Sequence, residues 1–282
     1  MKVVKYRDYY YLSNSFRYDG KVRHKQKYLG KKLPKNLEHI KEAFLQECMQ
    51  GSIFKKLSII RKNFSKEWKR YPESIKKEIL VELSISFTYN TNAIEGSTIT
   101  LHETEEIIKR KIAPNKPLRD VQETINHSKA FFKVINEKSG LSSKLLLEWH
   151  KEIFLDTKPD IAGRYRDYLV RVGDYRAPDW QDLDKMMKEF FAWYNKNKKI
   201  MHPVELAARA HYKFEKIHPF GDGNGRIGRL IIAYILRKGN FPLLIIEHKK
   251  RKPYYHALKK TEIDFMNWLF RSYFSAHRKY LK

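Results

Sequence analysis

The sequence predicts an all-α protein with two small β-hairpins attached. Three observations carry that reading. Apolar residues recur at helical spacing from Asn36 almost to the C-terminus. A glycine-rich bend, His218-Pro219-Phe220-Gly221-Asp222-Gly223-Asn224-Gly225-Arg226-Ile227-Gly228-Arg229, joins two such segments. The second segment is apolar on every face from Leu230 to Leu236, the pattern of a helix buried at the centre of a bundle. Strand-like alternation is confined to residues 1–35 and to Gly163–Pro178.

The elements follow in order. Asp19-Gly20 between two β-compatible runs signals a hairpin turn. Residues 1–35 carry eleven bases (Lys2, Lys5, Arg7, Arg17, Lys21, Arg23, Lys25, Lys27, Lys31, Lys32, Lys35) against Asp8 and Asp19. Tyr9-Tyr10-Tyr11 and Phe16-Arg17-Tyr18 interleave aromatics with those bases, as nucleic-acid binders do. The reading is a basic hairpin appendage, residues 1–35, that could take nucleic acid or another acidic partner; the plain alternative is a solvated charged face.

Leu37, Ile40, Ala43, Phe44 and Cys48 mark the first helix, which ends before Gly51-Ser52. Ile53 to Trp68 gives a second, and Pro72 opens a third through Ile79, Leu80, Leu83, Ile85 and Phe87. Thr100-Leu101-His102-Glu103 is a capping-box candidate. Pro114 and Pro117 then separate that helix from one containing Val121, Ile125, Ala130, Phe131 and Val134. Gly140-Leu141-Ser142 opens the next, through Leu145, Leu146, Trp149 and Ile153. Tyr165-Arg166 and Tyr168 to Val172 alternate β-formers before Gly173-Asp174. Leu206, Ala207, Ala210, Phe214 and Ile217 build the helix ahead of the bend, and Lys238-Gly239-Asn240 stops the one behind it. Ile263 to Leu281 reads as a closing helix.

Composition bounds the function. The 282 residues, 42% hydrophobic and 14% aromatic, describe a globular chain with ample material for a core. A single cysteine, Cys48, excludes an intrachain disulfide framework and a cysteine-cluster metal site. The first residues lack an apolar signal region, and Leu230–Leu236 is too short to span a bilayer. The expectation is a reducing, cytoplasmic setting.

The bend carries the chemistry. Arg226 and Arg229, three apart, share one face of the first turns of a helix. Two cations at the positive end of a helix dipole are unfavourable without a counter-anion. Gly223, Asn224 and Gly225 let backbone N–H groups turn toward the same spot, which makes an anion nest. A polyphosphate satisfies both. Asp222 would repel that anion unless a divalent cation, for which Mg²⁺ is the usual choice, lay between them. His218 has a pKa suited to taking a proton near neutrality. Gly223, Gly225 and Gly228 also satisfy the dinucleotide fingerprint G-x-G-x-x-G, but a helix precedes them where that fold needs a strand.

His218 to Arg229 resembles the signature of Fic-domain proteins, H-P-F-x-[D/E]-G-N-G-R-x-x-R, with every fixed position matched. The resemblance implies a Fic-like helical bundle and transfer of AMP from ATP to a Ser, Thr or Tyr hydroxyl of a target protein, with self-modification as one outcome. It makes His218 the base, Asp222 the metal carboxylate, and Gly223, Asn224, Gly225, Arg226 and Arg229 the nucleotide cradle. Thr91, Glu95 and Gly96 match the family's inhibitory motif [S/T]-x-x-x-E-[G/N], here N-terminal to the core. That motif implies a salt bridge from Glu95 to Arg229 that keeps ATP out of the reactive pose. Residues 163–178 stand where the family has a β-hairpin flap that pins the target peptide. Tyr254-Tyr255-His256-Ala257-Leu258 resembles the adenine pocket, although Glu262 stands where many members have asparagine.

The implied organisation is the appendage at residues 1–35, an N-terminal helical region at 36–113 carrying the inhibitory motif, and the catalytic core with closing helices at 114–282. Other chemistries stay open. Phosphate transfer goes with H-P-F-x-x-G-N-K-R, against which Gly225 argues. Removal of AMP would use Glu95 to position a water. A basic nucleic-acid-binding regulator with a vestigial pocket is the non-enzymatic alternative.

Overall fold

The computed structural model describes residues 1–18, 21–49 and 53–282. The Asp19-Gly20 turn and the Gly51-Ser52 break lie outside the described residues. The chain divides into two compact units, Met1–Lys62 and Asn63–Tyr280. The boundary expected at residue 35 falls inside the first unit.

The first unit holds a three-stranded antiparallel sheet where a single hairpin was expected: β1 (Lys2–Tyr6), β2 (Tyr9–Tyr18) and β3 (Lys21–Gly30), in that order. The additional strand is the chain's own start. Val3 and Val4 lie opposite Leu12 and Tyr11, and Arg7 takes the left-handed conformation (φ 52°) that the tight turn between Tyr6 and Tyr9 requires. Helix α1 (Leu37–Met49) covers one face of the sheet. Leu12, Phe44 and Cys48 are buried together there, with Met1, Leu29, Leu37 and Ile40 packed around them. That shared core explains why the unit extends past residue 35. A Lys25–Glu47 pair (2.8 Å) ties β3 to α1.

The second unit is helical. It comprises the end of α2 (Lys55–Arg70), then α3 (Glu73–Ile94) and α4 (Leu101–Glu105), the latter continued by a π-turn over Glu106–Arg110. Next come α5 (Leu118–Asn136) and α6 (Ser143–Phe154). Strands β4 (Arg171–Val172) and β5 (Tyr175–Arg176) precede α7 (Leu183–Asn197), α8 (Pro203–Ile217), α9 (Asn224–Lys238), α10 (Arg251–Lys259) and α11 (Glu262–Ala276).

Helix α9 is the axis. Every residue from Leu230 to Leu236 is buried, as the all-round apolar run requires. Helices α8, α5, α3 and α6 pack around it, and α11 backs α8. The Thr100–Glu103 capping box forms: Glu103 accepts from Thr100 N at 2.7 Å and Thr100 accepts from Glu103 N at 3.2 Å. Ser142 caps α6 by accepting from Leu145 N. The flap differs from expectation. Its strands are two residues each, closed by Gly173 at φ 58°, because Tyr165 and Arg166 turn inward instead of pairing.

Candidate functional site

Helix α8 ends where its left-handed cap is a histidine. His218 sits at φ 52°, ψ 59°, a conformation costing an L-residue roughly 1–2 kcal/mol. Strain of this kind persists only where surrounding contacts over-determine it. Two such contacts are present: His218 N donates to Phe214 O (2.9 Å), and Arg166 Nε donates to His218 O (2.8 Å). The buried Arg166 also donates to Tyr168 O (2.8 Å) and Pro178 O (2.7 Å). Its own N–H reaches Pro219 O. One guanidinium therefore staples the segment carrying the flap onto the loop carrying His218.

His218 Nδ1 lies 3.4 Å from Glu215 O. With the proton on Nδ1 donated to that carbonyl, Nε2 is the nitrogen that accepts one. Burial holds the imidazole pKa below its ordinary value, so the ring is neutral and able to act as a base at pH 7.

The loop after His218 is closed by its own residues. Asn224 Nδ2 donates to Phe220 O (2.8 Å), and Asn224 Oδ1 accepts from Phe220 N (2.9 Å). The Asn224 side chain is thereby spent on the turn, leaving only its backbone for a ligand. Phe220, fully buried, stacks on His150 at 4.0 Å, and His150 Nε2 donates to Asp222 O (3.0 Å). Gly223, at φ 79°, must be glycine twice over: the backbone is left-handed, and a Cβ would sit 2.3 Å from the Phe154 ring.

Both arginines are engaged. Arg226 pairs with Glu123 of α5, lies 4.4 Å from the Phe154 ring centroid and is 3.7 Å from Asp222. Glu123 also accepts from Arg119 Nε (3.1 Å) and Thr157 Oγ1 (3.3 Å). Arg229 Nη2 donates to Glu95 Oε1 (2.5 Å) and to Thr91 O (3.2 Å), while Nε reaches Thr91 Oγ1 (3.3 Å). The pair expected between Glu95 and Arg229 is therefore present as geometry. Its placement says more: a Cβ on Gly225 would fall 2.2 Å from Glu95 Oε1. The Glu95 carboxylate lies over the first turn of α9, at the positive end of the helix dipole that the sequence assigned to an anion.

Asp222 is paired with Lys158 and accepts from Gly223 N (2.5 Å). Burial works to raise its pKa, but Arg226 and Lys158 outweigh that and hold the carboxylate below its ordinary range. Among the described residues no cluster of three or more His, Cys, Asp or Glu side chains forms a metal site. Mg²⁺ needs no such cluster, since one carboxylate with phosphate oxygens and water suffices. Asp222 is the residue that fits.

The two tyrosines separate. Tyr254 is 1% exposed, its hydroxyl 2.8 Å from His211 Nε2 and its ring 5.9 Å from the Arg229 guanidinium. Tyr255 is 38% exposed, and its hydroxyl reaches Ile94 O at 3.4 Å, next to Glu95. The structure thus gathers His218, Asp222, Gly223–Gly225, Arg226, Arg229 and Glu95, with Tyr255 at the rim and Tyr254 beneath. Sequence reasoning missed Glu123, Lys158 and Arg166, which are remote in the chain and carry no motif. It also passed over Glu215, three residues before His218, whose position was a usable signal.

Residues 140–236 match the family model described as the Fic/DOC family. The chain is 37% identical over 191 residues to a protein adenylyltransferase Fic of Nematostella vectensis, covering 66% of this chain and 45% of the relative. With the protein adenylyltransferase Fic of Drosophila ananassae it shares 37% over 176 residues, 61% of this chain and 35% of the relative. The chain therefore spans less than half the length of these two relatives. In structure it is similar to Fic-1 of C. elegans, at a TM-score of 0.69 and 25% identity over 88% of this chain and 77% of that one. A Fic domain containing signaling protein from Bacteroides thetaiotaomicron has the same fold, at a TM-score of 0.72 and 24% identity over 80% of this chain and 96% of that one.

Proposed function

We propose that this chain, whose residues 140–236 match the Fic/DOC family model, is a protein adenylyltransferase held in check by Glu95. The observation that carries the proposal is the Glu95 carboxylate lying over Gly225 and bonded to Arg229. A side-chain anion takes the seat that the backbone cradle and the arginine offer to phosphate.

The chemistry follows from the residues. With Glu95 displaced, backbone N–H groups at Gly223–Gly225 and the Arg229 guanidinium hold the phosphates of ATP. His218 Nε2 takes the proton of a target Ser, Thr or Tyr hydroxyl. That oxygen forms a bond to the α-phosphorus as the bond to the departing pyrophosphate breaks. Asp222 would hold Mg²⁺, which when bound offsets phosphate charge. Lys158, now on Asp222, has Glu123 3.8 Å away as a second carboxylate partner. The flap segment, stapled by Arg166, lies beside His218 and is placed to align an extended target peptide. Tyr255 offers an exposed ring for the base. The target protein is the partner, and ATP the co-substrate.

The test uses ATP labelled on either the α- or the γ-phosphate, incubated with the full chain and Mg²⁺. Protein labelling from the α position alone, abolished in His218→Ala while Mg-ATP binding persists, is the expected result. Labelling from the γ position, or near wild-type labelling by His218→Ala, overturns the assignment.

A further inference from the structure

The N-terminal sheet has two faces, and among the described residues only one of them has a cover within its own unit. Side chains alternate along a strand, and directly opposed residues share a face. Leu12 points to α1, where it is fully buried. Its neighbours Tyr11 and Ser13 therefore point the other way, together with their partners Val4 and Lys2 on β1 and Tyr28 and Gln26 on β3. Tyr6 and Tyr9 oppose one another on that same outer face. The register shift between Tyr10 and Tyr11 admits Leu29 as an extra residue, which packs into the Leu12–Phe44 core while Tyr28 stays outside.

Four tyrosines thus stand on one side of a three-stranded sheet. The Tyr28 ring lies 5.8 Å from that of Tyr9 and 5.5 Å from that of Tyr11. Tyr28 is 57% exposed and Tyr6 is 63% exposed. Burial does not explain them: a ring that size on a solvent face forgoes most of the stabilisation that burying it would give. The surroundings are cationic. Lys31 Nζ lies 5.6 Å from the Tyr9 ring centroid, and the Arg7 guanidinium 5.6 Å from that of Tyr6. Lys2 shares the face. Over residues 1–35 the sequence offers eleven bases against two acids, Asp8 and Asp19, and Lys25 and Lys27 answer Glu47 on the α1 side of the sheet.

We propose that the outer face of the β1–β2–β3 sheet binds single-stranded nucleic acid, its tyrosine rings stacking on unpaired bases while Lys2, Arg7 and Lys31 hold the phosphates. The combination selects this partner. Cations alone attract any polyanion, but clustered exposed rings add sequence-tolerant stacking that requires bases free of a duplex. An acidic peptide would use the charges and leave four rings without work. Transfer chemistry is not involved, so the proposal stands independently of the adenylyltransferase reading.

Fluorescence anisotropy with a labelled oligothymidylate or oligouridylate and the full chain tests it. The expected result is binding that weakens as salt rises, with a duplex of equal length bound more weakly. The Tyr6→Ala/Tyr28→Ala double variant should lose about tenfold in affinity for the single strand. Its fold is checked by circular dichroism, and both rings are exposed enough to be removed safely. Lys31→Glu is the independent arm: it should weaken binding and flatten the salt dependence. Absence of binding at low salt overturns the proposal. So does binding that is equal for single strand, duplex and heparin and indifferent to the tyrosine variant, which would mark a plain basic surface.

Discussion

Arg226 and Arg229 lie one turn apart on α9, and each is held by a glutamate, yet the two pairs are built differently. Glu123 projects from the interior of α5, where its side chain is 10% exposed and answers Arg226, Arg119 and Thr157 together. Glu95 caps the end of α3, just before Gly96 at φ 97°, and its side chain is 31% exposed. Arg229 itself is almost wholly buried. One carboxylate is locked in by helix packing. The other sits at a helix end, with its side chain open to solvent on one side. We propose that the same chemical pair serves as a foundation in one place and as a latch in the other.

Stability should expose the contrast first. Removing one partner of a well-buried ion pair leaves an uncompensated charge, so Glu123→Ala should cost about 3–5 kcal/mol in urea unfolding. Glu95→Ala should cost less than Glu123→Ala, because the Glu95 side chain is 31% exposed, water reaches the vacated seat and Thr91 still accepts from Arg229. Equal losses would break the distinction between foundation and latch.

Activity should sharpen it. If Glu95 is the latch, Glu95→Gly raises AMP transfer at saturating Mg-ATP, by about tenfold for a typical coupling energy. Arg229→Ala lowers transfer, because it removes a phosphate clamp along with the latch. The double variant should follow Arg229→Ala, since release is useless without the clamp. Equal transfer by wild type and Glu95→Gly would remove autoinhibition and leave the catalytic proposal intact.

A third carboxyl tests the contrast through pH instead of through truncation. Glu215, its side chain 12% exposed, lies beneath Gly228, whose Cβ would meet it at 2.8 Å; His211 (3.9 Å) and His218 (3.8 Å) approach its carboxyl, and burial lowers the pKa of both imidazoles. Burial pushes its pKa up to about 8, against the opposing attraction of Arg229. The folded state thus binds a proton that the unfolded chain releases near an ordinary carboxyl pKa of about 4.3. Its contribution to stability is full below that value and is lost as pH rises toward 8. Unfolding free energy should decline between about pH 5 and about pH 8, and Glu215→Gln should flatten the decline. Glu123 carries the opposite sign. Its desolvation is outweighed by Arg226, which leaves the pKa lowered, so its stabilisation disappears only in acid. A variant with unchanged slope would mean that Glu215 is ionised in the fold.

What the sequence determined by itself was local. The glycine-rich bend at Gly223–Gly225, the position of His218 at a helix end, the buried run Leu230–Leu236 and the Thr100–Glu103 box each depend on residues within a few positions of one another. Spacing and backbone preference suffice there. Even the Glu95–Arg229 pair was legible, through a short motif whose geometry the resemblance supplied.

Only the tertiary structure decided what meets across the chain. Glu123 and Arg226 are brought together by α5 packing on α9, and no periodicity encodes that encounter. Arg166 read as part of a strand because alternation cannot distinguish a pairing residue from one turned inward to three carbonyls. Tyr254 and Tyr255 are neighbours in sequence with opposite fates, since adjacent positions on a helix face different surroundings. The N-terminal segment read as a hairpin until its first residues found β2, a partner set by pairing geometry and by the Leu12 core. Short-range signals fix elements and turns. Which charges answer each other is fixed by packing, because burial makes an unanswered charge costly only once the helices have come together.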